Sequence, residues 1–191
     1  MPVTPWTFDP VRTERLLLRP PVASDADDLH ALQSDPEVVR YQLFEPRSRE
    51  VVLERLPELA AATRLEKEGD FVQPAMQLDT ADGPVVIGTM YLVLKSIENE
   101  TAEIGWALRR EYQGRGFAYE AALALLGVAF DVMGLHRVTA ELDPRNDASV
   151  ALCLRLGMRR EAHFVEDMMF KGDWADTGVY AMLAREWALR S

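Results

Sequence analysis

The chain has 191 residues, 48% of them hydrophobic, which is enough for one well-filled core and short for two independent domains. Aspartate and glutamate outnumber lysine and arginine by 31 to 21, and the formal net charge of -10 repels phosphate backbones and anionic headgroups, arguing against nucleic acid or a membrane surface as partner. The one cysteine, Cys153, has no internal disulfide partner, the N-terminus lacks the basic and apolar regions of a signal peptide, and no apolar run approaches the ~18 residues of a membrane span, so a cytoplasmic protein is expected.

A single domain is expected over residues 1–191, with 1–11 a flexible, proline-containing tail. Arg15 to Arg19 reads as a strand stopped by Pro20-Pro21, and Ser24 or Asp25 caps a short helix through Leu32. Asp35-Pro36 restarts the chain. From Arg47 to Lys67 the spacing of Val51, Val52, Leu56, Leu59 and Leu65 predicts a helix, with Pro57 inside it and Gly69 as the stop. The period then changes: Gln73 to Leu78, Val85 to Leu94 and Thr101 to Leu108 read as an antiparallel meander turning at Asp82-Gly83 and Glu98-Asn99. A helix follows from Gly116 to Met133, ended by Gly134, then a strand from His136 to Leu142 and a helix from Asn146 to Leu156 ended by Gly157. Arg160 to Phe170 and Thr177 to Leu183 close the chain as a hairpin. The predicted fold class is α/β, a mixed sheet with covering helices.

The segment Glu103-Ile104-Gly105-Trp106-Ala107-Leu108 leads through Gln113-Gly114-Arg115-Gly116-Phe117-Ala118 into a helix. Glycines let main-chain N–H groups converge on one point, and the positive end of the helix adds to the field there, so the loop suits an anionic phosphate. It lacks the Lys-Ser or Lys-Thr of a Walker A loop, and Tyr119 stands where a dinucleotide fingerprint requires its third glycine. His30, His136 and His163 lie far apart with no second ligand at suitable spacing, so no metal site is expected.

At Gln113, Gly116 and Ala118 the chain resembles the GNAT superfamily of N-acetyltransferases, whose coenzyme A loop reads Gln/Arg-x-x-Gly-x-Gly/Ala. Thr13 to Arg19 looks like the first strand of its RimJ/RimL-like branch, Asn146-Asp147-Ala148-Ser149 like an Asn-x-x-Ser signature, and Leu154 to Met158 like the helix end after it. The resemblance spans Thr13 to Trp187 in family order. It implies a GNAT-like, mostly antiparallel central sheet with helices on both faces, splayed at the cofactor site.

It further implies direct transfer of an acetyl group from acetyl-coenzyme A to a primary amine, either a protein N-terminal α-amine or a small molecule, in a ternary complex. The main chain of Trp106, Ala107 and Leu108 would pair with the pantetheine arm, and Gln113, Gly114, Arg115, Gly116, Phe117 and Ala118 would hold the pyrophosphate. Asn146 would bond the pantetheine, and Ser149 would hold or protonate the departing sulfur, with Tyr119 as a competing acid. Glu103 shares a strand face with Gly105 and Ala107 and is the candidate base. Arg145 and Arg155 are further candidates for the phosphates, and Tyr41 to Pro46, the helix after it and the hairpin with Trp174 for the acceptor side. Alternatives are a silent acyl-coenzyme A sensor and an acyltransferase for a longer chain such as succinyl. A homodimer is a family-level expectation.

Overall fold

A computed structural model describes residues 5–190. The strands are β1 (Trp6–Thr7), β2 (Val11–Arg12), β3 (Leu16–Arg19), β4 (Arg64–Leu65), β5 (Phe71–Val72), β6 (Ala75–Thr80), β7 (Gly83–Ser96), β8 (Thr101–Leu108), β9 (Arg137–Leu142), β10 (Arg159–Phe170) and β11 (Asp173–Leu183). The helices are α1 (Ala26–Ser34), α2 (Pro36–Val39), α3 (Arg49–Ala61), α4 (Phe117–Gly127), α5 (Asp147–Arg155) and α6 (Ala184–Ala188). The main sheet runs β10-β11-β9-β8-β7-β6-β3-β2, with β5 also on β7; β8 and β9 are parallel and the other described pairs antiparallel.

Helices cover both faces because neighbouring strand residues point opposite ways. Met76 and Ile87 pack into the larger core with Leu125 and Leu126 of α4, whereas Ala75 and Val86 pack with Leu29 of α1 and Val52 and Leu56 of α3. The sheet between the two clusters is the α/β layering that the alternation of periods predicted.

Two expected bounds change. The N-terminal segment is not a free tail across the described residues 5–11: β1 pairs with β4, Phe8 is buried, and Val11 pairs with Leu18. Residues 1–4 lie outside the described part. The helix predicted to reach Lys67 ends at Ala61, because Leu65 is wholly buried in β4 opposite Trp6. Its apolar spacing fits either structure, and pairing with a distant strand decided it. The helix at Gly116 keeps its predicted reach but widens to a π turn at Val128–Val132, where Met133 N–H bonds Val128 O at 2.9 Å, before Gly134 ends it at φ +72°.

The opening Thr13-Glu14-Arg15 fastens the sheet to α4. Thr13 Oγ1, Arg15 N–H and Arg15 Nε converge on the Glu120 carboxylate at 2.5, 2.7 and 2.6 Å. Burial pushes the Glu120 carboxyl up, but these hydrogen bonds and the Arg15 charge outweigh it and hold it below the usual range. Glu120→Ala is expected to lower unfolding stability by about 2–3 kcal/mol in urea melts near neutral pH. The ionised clamp contributes fully above the unfolded carboxyl pKa of about 4.3 and is lost as pH falls through the depressed folded value. Wild type and variant should therefore converge in acid, and a gap that persists there would assign the loss to packing instead.

Candidate active site

β8 and β9 pair in parallel only at Thr101–Glu103 against Arg137–Thr139. Beyond that point they separate, and the gap opens into a groove of about 460 Å³. Its walls come from Glu103 to Ala107 of β8, Ala140 to Asp143 of β9 and its following turn, Asn146 and Ser149 at the start of α5, and the segment after α2. Arg109 N–H donates to Ile87 O on the β7 side, and Ala102 O accepts from Thr139 on the β9 side. Strand alternation therefore turns the main-chain groups of Ile104, Trp106 and Leu108 to the gap. Those of Ala107 face β7, where its carbonyl crowds Gly88, so Ala107 meets the groove with its side-chain face, not as the pairing main chain expected from the sequence.

The glycine loop follows from the end of β8. Gly114 and Gly116 take φ of +71° and +81°, the left-handed region in which an L side chain is strained. Glu120 N–H donates to Gly116 O as α4 begins. Among the described residues the N–H groups from Gly114 through Tyr119 have no main-chain acceptor, which leaves a run of donors at the positive end of α4. Gln113 buttresses this loop: its Nε2 donates to Leu108 O at 2.9 Å and its own N–H to Arg110 O at 3.1 Å. Arg15, which the sequence reading placed only in a strand, lies over the Phe117 ring at 4.4 Å and donates to Arg115 O at 3.0 Å, beside Arg115 itself at 5.1 Å from the same ring. The loop thus carries two guanidinium groups.

The other phosphate candidates have different engagements. Arg145 forks onto Asp143, and Arg155 lies over the Tyr119 ring at 4.3 Å. The Tyr119 hydroxyl accepts from Arg190 at 3.2 Å and does not line the groove. At α5, Asn146 Oδ1 caps the helix by accepting from Ser149 N–H at 3.1 Å. Ser149 Oγ accepts from the Trp106 indole N–H at 3.2 Å, so its own proton is free to be donated into the groove. Cys153 is buried in the same helix, and desolvation pushes its thiol up to about 12, far from a nucleophile.

Glu103 faces the groove, and its carboxylate accepts from Lys95 Nζ at 2.8 Å. Sequence reading missed its neighbour Glu141, because finding it requires knowing that β9 lies parallel beside β8. Solvent reaches Glu141, yet the groove walls strip part of its hydration; that desolvation, and then the negative charge of Glu103, raise its carboxyl above the usual range, against the opposing pull of Lys95. Desolvation and the same Glu103 charge raise the Tyr91 phenol. Tyr41 and Phe44 line the groove, with Tyr41 bonded to Arg145 O at 3.2 Å, whereas Trp174 is exposed outside it. Lys171, at the tip of the β10–β11 hairpin, donates to Val39 O at 2.8 Å and ties that hairpin to the end of α2.

Residues 15–159 match the acetyltransferase (GNAT) domain family. The chain is 33% identical to the N-acetyltransferase p20 of Bacillus licheniformis over 92% of its own length and 97% of the relative's. A shorter stretch, 44% of this chain and 43% of the relative, is 27% identical to the ribosomal protein uS5-alanine N-acetyltransferase of Escherichia coli. A solved GNAT-family acetyltransferase from Bacillus anthracis overlays with a TM-score of 0.81 at 28% identity, covering 93% of this chain and all of that one.

Proposed function

The chain belongs to the GNAT family of acetyltransferases, and from that premise we propose that it uses acetyl-coenzyme A to acetylate a primary amine in a ternary complex. The observation that carries this reading is the gap beyond Glu103, which leaves one edge of β8 without a strand partner among the described residues, directly upstream of a loop of open N–H donors. Both ends suit one extended ligand: an anionic pyrophosphate at Gly114 to Ala118 with Arg15 and Arg115, and an amide-bearing arm along the main chain of Trp106 and Leu108.

Bound there, acetyl-coenzyme A supplies the electrophilic thioester. A protonated amine must lose a proton before attack, and a free α-amine, with a pKa of about 8, is mostly protonated at neutral pH. Glu141 takes that proton, directly or through water, its basicity raised by its setting and by Glu103, which Lys95 holds in place. This moves the base one strand over from the residue expected on sequence grounds. Ser149, held by Trp106, gives its hydroxyl proton to the departing sulfur and regains one, directly or through water, from the nitrogen that has attacked, and Asn146 caps the start of α5 on which Ser149 sits. Transfer is direct, since the buried Cys153 is no acyl carrier.

The partial likeness to the uS5-alanine enzyme supports the RimJ/RimL-like branch and, with it, an α-amine acceptor. Titration calorimetry of acetyl-coenzyme A, followed by a thiol-release assay over N-terminal peptides and small amines, tests the proposal. Micromolar or tighter binding with turnover on at least one amine is the expected result. Binding without turnover on a broad panel would favour a sensor, and no binding would end the reading.

A further inference from the structure

The segment from Phe44 into α3 brings to the groove two arginines that have no acidic partner among the described residues. The Arg47 guanidinium carbon lies over the Phe44 ring, 3.6 Å from its centre, and the side chain donates to Gln33 Oε1 at 2.9 Å while the main-chain N–H donates to Gln33 O, so its guanidinium is firmly seated. Arg55 lines the same groove, and its Nε is sealed from solvent with no hydrogen-bond acceptor among the described residues. Neither arginine has an ion-pair partner among the described residues, whereas Lys95 in the same groove is matched to Glu103. Burial, and then the charge of Arg55, lower the Arg47 guanidinium from its ordinary value, so the two cations stand close enough to repel. A pair of crowded guanidiniums with an unmet donor is costly unless something negative enters between them.

We propose that Arg47 and Arg55 bind an oxyanion, a carboxylate or phosphate, carried by the amine acceptor itself. The inference rests on reading the groove as the acetyl-transfer site, and it narrows the acceptor from any primary amine to one that also carries a negative group. Both signs of charge line the groove, Glu103 and Glu141 from β8 and β9 and Arg47 and Arg55 from the segment leading into α3 and from α3 itself, so an acceptor with an amine and an anion would find a partner for each. A planar guanidinium matches such oxygens through paired N–H donors, and the stack on Phe44 keeps one of the two oriented for this. A polyamine, with a cation at each end, would bring positive charge against the arginine wall.

The test uses matched amines with acetyl-coenzyme A as donor: an α-amino acid against its amide, phosphoethanolamine against ethanolamine, and a peptide with Asp second against the same peptide with Asn. Wild type should prefer the anionic member of at least one pair in kcat/KM, and the pair preferred tells whether the oxyanion is a free carboxylate, a phosphate or an acidic peptide side chain. In Arg55→Gln and Arg47→Gln that preference should shrink about 10- to 100-fold through KM, the scale of one charge-assisted hydrogen bond, and Arg55→Lys should restore part of it. Undiminished calorimetric affinity for acetyl-coenzyme A in each variant shows that it is folded. Wild type that favours the neutral members or spermidine, or variants with an unchanged preference, would overturn the inference. So would variants that only switch the donor from succinyl- to acetyl-coenzyme A, since the anion would then sit on the acyl chain. Failure of wild type to bind acetyl-coenzyme A would instead remove the acetyl-transfer reading on which the inference stands.

Discussion

Gly116→Val is expected to weaken acetyl-coenzyme A binding by at least about 100-fold, the largest single effect the loop allows. Gly116 caps α4 at φ +81°, and a side chain there costs about 1–2 kcal/mol before any contact is counted, more for a branched one. Its Cβ would also stand 3.4 Å from the Arg15 guanidinium, which must then give way at the mouth of the loop. Both effects act on the N–H donors that would meet the pyrophosphate. Gly114→Ala is the informative comparison: the φ of +71° is also left-handed, but a Cβ there meets nothing within 4 Å, so backbone strain appears without crowding and a smaller loss is expected. Calorimetry on both variants, with thermal melts to separate misfolding from lost binding, decides the matter. Equal and wild-type affinity in the two would mean that the nucleotide is held elsewhere.

The second large effect is at the base. Glu141→Gln keeps the shape of the side chain and removes its ability to accept a proton, so kcat/KM should fall by about 10²- to 10⁴-fold. The base works in its ionised form, so wild-type activity should decline as pH drops through the raised value of Glu141, and this acidic limb should vanish in Glu141→Gln. Glu103→Gln gives the complementary result. Removing the Glu103 charge takes away one cause of the raised value and leaves the opposing pull of Lys95, so the limb should move to lower pH while turnover persists. Rates across pH for the three proteins distinguish the two carboxylates. If Glu103→Gln abolishes turnover and Glu141→Gln spares it, the roles are reversed and the base is the residue first singled out from the strand pattern.

Strand alternation singles out Glu103 on β8 but cannot reach Glu141, which lies on another strand beside it. Thr101 to Leu108 was predicted with the bounds observed, Gly134 and Gly157 were read correctly as helix stops, and the loop at Gln113 to Ala118 was found from its glycines. Each of these rests on local chemistry: strand alternation, and a left-handed turn that only glycine adopts freely. The length of α3 and the tail were misjudged because β1 and β4 are two residues each and exist only through one another. Such short strands carry no period of their own.

What the sequence determined by itself, then, is the α/β layering, the donor-rich loop at the head of α4, and the pairing of an asparagine cap with Ser149 on α5. Tertiary structure alone decided which charges face one another. Glu141 meets Glu103 because β9 lies parallel to β8 for three register positions and then diverges; Arg15 reaches the loop because Glu120 draws it there; Arg47 and Arg55 share a wall because Gln33 and Phe44 seat the first beside the second. Charge-charge interactions depend on distance and dielectric, not on separation along the chain, so they become legible only when the fold has set both.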